Sequence, residues 1–221
     1  MSDLSQIAAD FAVEVDSLPT RNTASVRRLR RRLTADLSPE QPSLVFQVAS
    51  ELIGKFGHRW VAYEVIVNHV KTYFQLNDEV VEQFGSGIDS WHSVDAFART
   101  LAGPAWRDGL IGDETIFRWA QSTDRWWRRA ALVSTVALNV RSHGGTGDEG
   151  RTLTVCRMLV ADTDEMVVKS LSWALRELVV HDAGIVAEFL DEHDGQLVSR
   201  VKREVRNKLE TGFKYPKDSG D

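Results

Sequence analysis

The twelve residues Val167-Val-Lys-Ser-Leu-Ser-Trp-Ala-Leu-Arg-Glu-Leu178 carry two patterns at once. Val167, Leu171, Leu175 and Leu178 recur at four, four and three positions, which stacks them along one apolar stripe of an α-helix. Lys169, Trp173 and Arg176 recur at four and three on a different stripe. The segment therefore reads as a helix with one face for a core and one polar, indole-bearing face for something else.

The same texture of Ala, Val and Leu with one polar stripe returns at Val45–Ile53, Val94–Ala98 and Arg129–Val133, while strand-like alternation is hard to find anywhere. The periodicity predicts helices at about Leu4–Ser17, Ala24–Leu37, Pro42–Phe56, Trp60–Phe74, Asp78–Phe84, Ser90–Ala102, Glu114–Ala120, Arg125–Val140, Glu149–Val160, Glu165–His181, Ala183–Glu192 and Gln196–Leu209. Pro39, Pro42, Gly57, Gly85-Ser-Gly87, Gly103-Pro104, Gly144-Gly145 and Gly195 punctuate them, and Asp89, Asp124 and Thr163 or Asp164 are in place to cap the helices that follow. Similar helices spaced roughly 35 to 50 residues apart are what helix-pair repeats of the HEAT or armadillo kind produce, since each pair hides its apolar face on the next. The expected fold is all-α: a curved helical-repeat solenoid in a single domain over residues 1–221, with a concave binding face. The loop Ser142–Gly150 is expected to be mobile and the tail Lys214–Asp221 to fray.

At 221 residues the chain can bury roughly three quarters of its unfolded surface and needs no staple to fold. Cys156 is the only cysteine, which excludes an intrachain disulfide and a multi-cysteine zinc site and fits a reducing, cytoplasmic location. Met1–Asp10 contains Asp3 and Asp10, unlike a secretory signal. A formal charge of −5 argues against coating nucleic acid through bulk positive charge, yet the cations are clustered: Arg27, Arg28 and Arg30 to Arg32; Arg125, Arg128 and Arg129; Arg200, Lys202, Arg203, Arg206 and Lys208. Phosphate-loop, dinucleotide, nucleophile-elbow and H-E-x-x-H patterns are absent, and the six His lack metal-site spacing, so no metal or other cofactor is expected.

Three places concentrate polar chemistry. Trp91 and Asp95 lie four residues apart at the start of a helix, so an indole and a carboxylate share one edge; alone, the pair reads as a half-buried Trp beside a solvated Asp. His92 points elsewhere. Arg125 and Arg129 enclose Trp126 and Trp127, an interleaving that suits phosphates and sugars as well as a solvated Arg face. Trp173 sits between Lys169 and Arg176, either as a groove wall or as a core residue with cations on its rim. The Arg27–Arg32 group is expected to turn its stripe to water.

In this order, Ser90-Trp-His-Ser-Val-Asp95, Asp124-Arg-Trp-Trp-Arg-Arg-Ala-Ala131, Val168-Lys-Ser-Leu-Ser-Trp-Ala-Leu-Arg-Glu177 and Arg203-Glu-Val-Arg-Asn-Lys208 resemble the AlkD-like DNA alkylation-repair glycosylases, HEAT-like repeat proteins, over about Ser43 to Leu209. The resemblance implies a hydrolase that removes positively charged N3- or N7-alkylated purines from double-stranded DNA without full base flipping. It implies Asp95 as catalytic carboxylate, Trp91 and Trp173 as aromatic walls around the lesion, Arg129 as a contact to the DNA backbone, and a monomer with neither metal nor membrane partner. One departure stands out: Asp16–Ser25 lacks the aromatic residue that the family's N-terminal part usually supplies. Two other readings stay open, a non-catalytic DNA-structure binder on the same scaffold and a helical-repeat scaffold for protein partners.

Overall fold

The computed structural model describes residues 4–215, and among them it contains no strand. The helices are α1 (Leu4–Asp16), α2 (Thr23–Asp36), α3 (Pro42–Gly54), α4 (Arg59–Asn68), α5 (Val70–Tyr73), α6 (Asp78–Gly85) and α7 (Trp91–Phe97), followed without a break by a π-helical turn (Ala98–Ala102) and α8 (Gly103–Arg107). Then come α9 (Asp113–Ala120), α10 (Arg125–Asn139), a 3-10 turn (Arg141–His143), α11 (Glu149–Met158), α12 (Glu165–Leu178), α13 (Ala183–Glu192) and α14 (Ser199–Thr211). Helices pack chiefly on near neighbours in sequence, α1 on α3, α3 on α4, α10 on α9 and α12, and α12 on α14. This is an all-α helical-repeat solenoid.

Short polar side chains start many of these helices. Asp124 accepts from the Trp126 amide at 2.8 Å and Asp164 from the Met166 amide at 2.8 Å, as expected of caps. At α7 the cap is Ser90 rather than Asp89: Ser90 and Ser93 satisfy each other's backbone N–H groups in a capping box. One continuous cluster of buried apolar residues runs from Ala8 in α1 to Val205 in α14. At its centre lies α10, in which every residue from Arg129 to Asn139 is buried and which touches α7, α8, α9, α11 and α12.

Two helices depart from the sequence expectation, and both departures shape the site. The helix expected over Trp60–Phe74 breaks at His69, whose backbone is extended (φ −98°, ψ 97°) and whose Nδ1 accepts from the Thr72 amide at 3.2 Å, capping α5. A polar side chain offering the backbone an alternative partner outweighed local helix propensity. Conversely, Gly103-Pro104 does not end its helix. The missing Pro N–H and the bulk of its ring are absorbed by the π turn just before it, where the Gly103 amide reaches back five residues to Ala98 O. Gly103 is needed there because α10 comes close: a Cβ would lie 2.7 Å from both Ala137 Cβ and Ser134 O.

The segment expected to be a mobile loop is tied in place by bonds from the Gly145 amide to Val140 O (3.0 Å), the Gly147 amide to Leu138 O (3.1 Å) and the Asp148 amide to Asn139 Oδ1 (3.1 Å). Residues 216–221 of the expected frayed tail lie outside the described residues; Lys214, at its start, reaches Glu204 with Nζ 3.5 Å from Oε2.

Candidate active site

Asp95 sits in the middle of α7, one turn after Trp91, and the Ser90 capping box fixes where that turn begins. Its carboxylate meets Arg129, one turn into α10: Nε donates to Oδ1 at 2.8 Å and Nη2 to Oδ2 at 2.9 Å. This parallel two-bond pairing holds the plane of the carboxylate as well as its position. Arg129 Nη1 donates in turn to Met166 O at 2.6 Å, so one guanidinium ties α7, α10 and α12 together. The Arg129 side chain is 6% exposed and that of Asp95 19%, hence the cation forms the wall and the anion faces the opening. Arg129 is thus a partner of Asp95 in this structure, with one N–H on each Nη uncommitted among the described residues.

The opening is a cleft of about 580 Å³. It brings together three of the four residues singled out from sequence, Trp91, Asp95 and Trp173, with Arg129 directly behind Asp95. Trp91 is 49% exposed and its ring stacks on that of His92 at a centroid distance of 3.4 Å. His92 lines a different hollow, beside Arg59 and Ser93. Trp173 is half-buried and held edge-on by Nε1 donating to Glu177 Oε1 at 2.8 Å. Its flanking cations stay off the cleft: Lys169 pairs with Glu165, and Arg176 donates to Ser172 Oγ at 3.3 Å while burial holds it below the usual arginine range.

The Arg125–Arg129 run resolves differently from a nucleic-acid face. Arg125 pairs with Asp164 and stacks over the Trp126 ring at 4.8 Å, Arg128 pairs with Asp162 at 2.7 Å, and Trp127 joins Phe97 and Trp119 in an aromatic cluster. The indoles pack against the core there, and Arg125 covers the Trp126 ring.

Several cleft residues escaped the reading of sequence. Trp60, at the start of α4, lines the wall with the Arg27 guanidinium 5.0 Å above its ring, so the N-terminal half does supply an aromatic group, though not from Asp16–Ser25. Arg27 and Arg30 converge on Glu64, with Arg27 Nη2 at 2.9 Å from Oε1 and Arg30 Nε at 2.7 Å from Oε2. The arginine stripe of α2 therefore does not simply face water, since Arg30 is buried. A signal was available: Glu64 is the one charge inside the apolar run Trp60–Val67, and a buried carboxylate demands a cationic partner. Another stretch of the lining is a chain of polar contacts that ends at the exposed Arg99 and His143 on the rim. Tyr73 Oη donates to Asp108 Oδ2 at 2.7 Å, Arg107 Nε donates to Asp108 Oδ1 at 2.7 Å, Arg107 Nη1 donates to His143 O at 2.5 Å, and Arg99 Nη2 lies 2.8 Å from His143 Nε2. Arg107 holds the Asp108 carboxyl below the usual carboxylate range, while burial and then Asp108 push the Tyr73 phenol well up.

Counting groups that line the cleft or are ion-paired to its lining, five guanidinium groups (Arg27, Arg30, Arg99, Arg107, Arg129) face three carboxylates (Glu64, Asp95, Asp108). A chain of net charge −5 has thus gathered a local cationic surplus around the partly exposed Asp95 carboxylate and three indoles. Such a site favours a polyanion with a planar, electron-poor group.

Among the described residues, no helix is long and apolar enough to cross a membrane. No protein of curated function and no solved structure gives a significant match to the chain. A sequence profile described as DNA alkylation repair enzyme matches residues 6–209, nearly the whole chain and well beyond the motifs around the cleft. The chain belongs to the DNA alkylation repair enzyme family.

Proposed function

We propose that the protein is a DNA glycosylase that hydrolyses the N-glycosidic bond of positively charged N3- or N7-alkylated purines in duplex DNA. The observation that carries this reading is the oriented Asp95 carboxylate, fixed by Arg129 and open to a cleft walled by Trp91 and Trp173.

An alkylated purine of this kind already bears a positive charge and leaves as a neutral base, so no strong general acid is required. The sugar is what needs help. As the bond lengthens, cationic character moves onto the deoxyribose, and a carboxylate held beside C1′ stabilises it and orients the attacking water, as carboxylates do for sugar oxocarbenium ions. Arg129 is a positioning residue in this scheme: it occupies one acceptor site on each Asp95 oxygen and leaves the others for sugar and water. The indole rings contribute about 0.5–2 kcal/mol each through contact with the cationic base or sugar, depending on desolvation.

Incubation with duplex DNA containing N7-methylguanine tests this reading. The parent should form abasic sites above the spontaneous rate and Asp95→Asn should not; equal rates for the two would remove the catalytic claim. A variant that lost excision but kept salt-sensitive duplex binding would retain the DNA-binding part, which the cationic surplus of the cleft supports independently.

A further inference from the structure

We propose that Arg99, Arg107 and His143 form a phosphate subsite at the rim of the cleft, in which binding of a DNA phosphodiester is coupled to uptake of one proton by His143. The inference rests on the DNA reading above and adds to it a place and a proton count.

Arg99 is exposed, lies on the π turn one helical turn beyond Asp95, and has no carboxylate partner among the described residues. Its only polar contact there is His143 Nε2 at 2.8 Å. A guanidinium can only donate, so Nε2 is the acceptor, the ring proton sits on Nδ1, and the imidazole is neutral. Two cations therefore stand around an imidazole to which no carboxylate among the described residues is hydrogen-bonded. Arg107 grips the backbone of the same residue through Nη1 to His143 O at 2.5 Å, while Asp108 holds its other edge. The strap carrying His143 is anchored on the far side by Gly145, where a Cβ would meet the Asn139 and Val140 backbone at 2.7 to 2.8 Å.

The groups facing His143 are Arg99 on the π turn, Arg107 on α8, Arg27 on α2 and Glu64 on α4. Partial desolvation at the cleft and then the three arginines hold its pKa below the ordinary histidine value. A phosphate oxygen replacing the imidazole as acceptor for Arg99 reverses that balance: Nε2 takes a proton from solvent and donates to the phosphate, giving an Arg–phosphate–HisH⁺ arrangement. No covalent bond changes. Since the free-state pKa is depressed and the bound-state pKa raised, affinity rises as pH falls between those two values and is pH-independent outside them.

The test is equilibrium binding of undamaged, fluorescently labelled duplex DNA against salt, repeated between about pH 5.5 and 8. The parent should bind more tightly toward the acid end. Arg99→Gln should lower affinity about tenfold and reduce the slope of log K against log salt by about 0.9. His143→Gln should flatten the pH profile, and Arg31→Gln, exposed and off the cleft, should leave both unchanged. Arg99 and His143 are exposed, so thermal melts matching the parent verify that these variants fold. Parental slope and pH profile in both variants, with the parent binding DNA, would overturn the subsite alone. A parent that retains no duplex at low salt would overturn the subsite and the DNA reading together, while Asp95→Asn with parental affinity but no excision leaves both standing.

Discussion

Two carboxylates face the same cleft in opposite conditions. Glu64 is enclosed by two cations: Arg27 reaches Oε1 through both Nε (3.2 Å) and Nη2 (2.9 Å), and Arg30 reaches Oε2 at 2.7 Å. Among the described residues the Asp95 carboxylate has a single partner, Arg129, which takes one acceptor site on each oxygen. Two guanidinium groups around a carboxylate make a joint between α2 and α4; one guanidinium behind a carboxylate makes an oriented anion with free lone pairs. Residue type and burial are nearly alike at the two sites. What separates them is the number of cations per anion and the side from which they approach.

Substitution should split the two cleanly, and the largest effect falls on chemistry. Asp95→Asn is expected to lower the excision rate of N7-methylguanine on the order of 10²–10³-fold, read by single-turnover assay, because the group facing the developing charge is neutralised. Glu64→Gln should instead act on stability. It leaves two guanidinium groups, one of them buried, to share one neutral amide oxygen, and is expected to lower the unfolding free energy by about 3 kcal/mol in urea titrations, against about 1–2 kcal/mol for Asp95→Asn, where a single guanidinium keeps an amide oxygen beside the open cleft. If Asp95→Asn proved the more destabilising of the two, the contrast would be wrong.

A smaller effect sharpens the same distinction among the indoles. Trp91→Ala removes a side chain that is already half exposed, so excision should fall by about 3- to 30-fold, the worth of one cation–π contact, with little change in melting temperature. Trp173→Ala should reduce both, because that ring also packs against the core.

The smallest effect concerns a third carboxylate, Asp108, whose folded pKa is depressed chiefly by Arg107. A depressed carboxylate contributes stability that is present above its unfolded pKa, about 4, and is lost as pH falls through the lower folded value. Asp108→Asn should therefore lower stability modestly at neutral pH, converge with the parent in acid, and so shallow the acid limb of a stability-versus-pH curve.

The helical class and three of the cleft residues were legible because they are local properties. Trp91 with Asp95 and Trp173 with its stripe obey a period of 3.6 within a single helix, and motif order added their grouping. The role of Arg129 was only half legible. Its spacing from Arg125 placed both on one stripe, but helix packing buried the one and left the other at the surface, and no periodicity reports which α7 residue stands opposite. Trp60, Arg27 and Glu64 were missed for the same reason: their pairing spans more than thirty residues of sequence. His69 and Pro104 were misread because propensity assigns breaks by residue type, whereas here a side-chain cap broke a good helix and a widened turn rescued a poor one.

That widened turn sets a phase angle. Everything before Ala98, including Trp91 and Asp95, belongs to one helical register, and everything after Ala102, including Arg107, belongs to another. Excising a single residue, Thr100 for instance, would wind the two into one register and swing Asp95 by about 100° relative to Arg107. Along a nucleotide strand the span from a sugar carbon to the next phosphorus is fixed by covalent bonds. On the proposed reading, a one-residue stutter in this helix is the gauge that matches protein spacing to backbone spacing; Gly103, packed closely against Ala137 and Ser134, locks the setting.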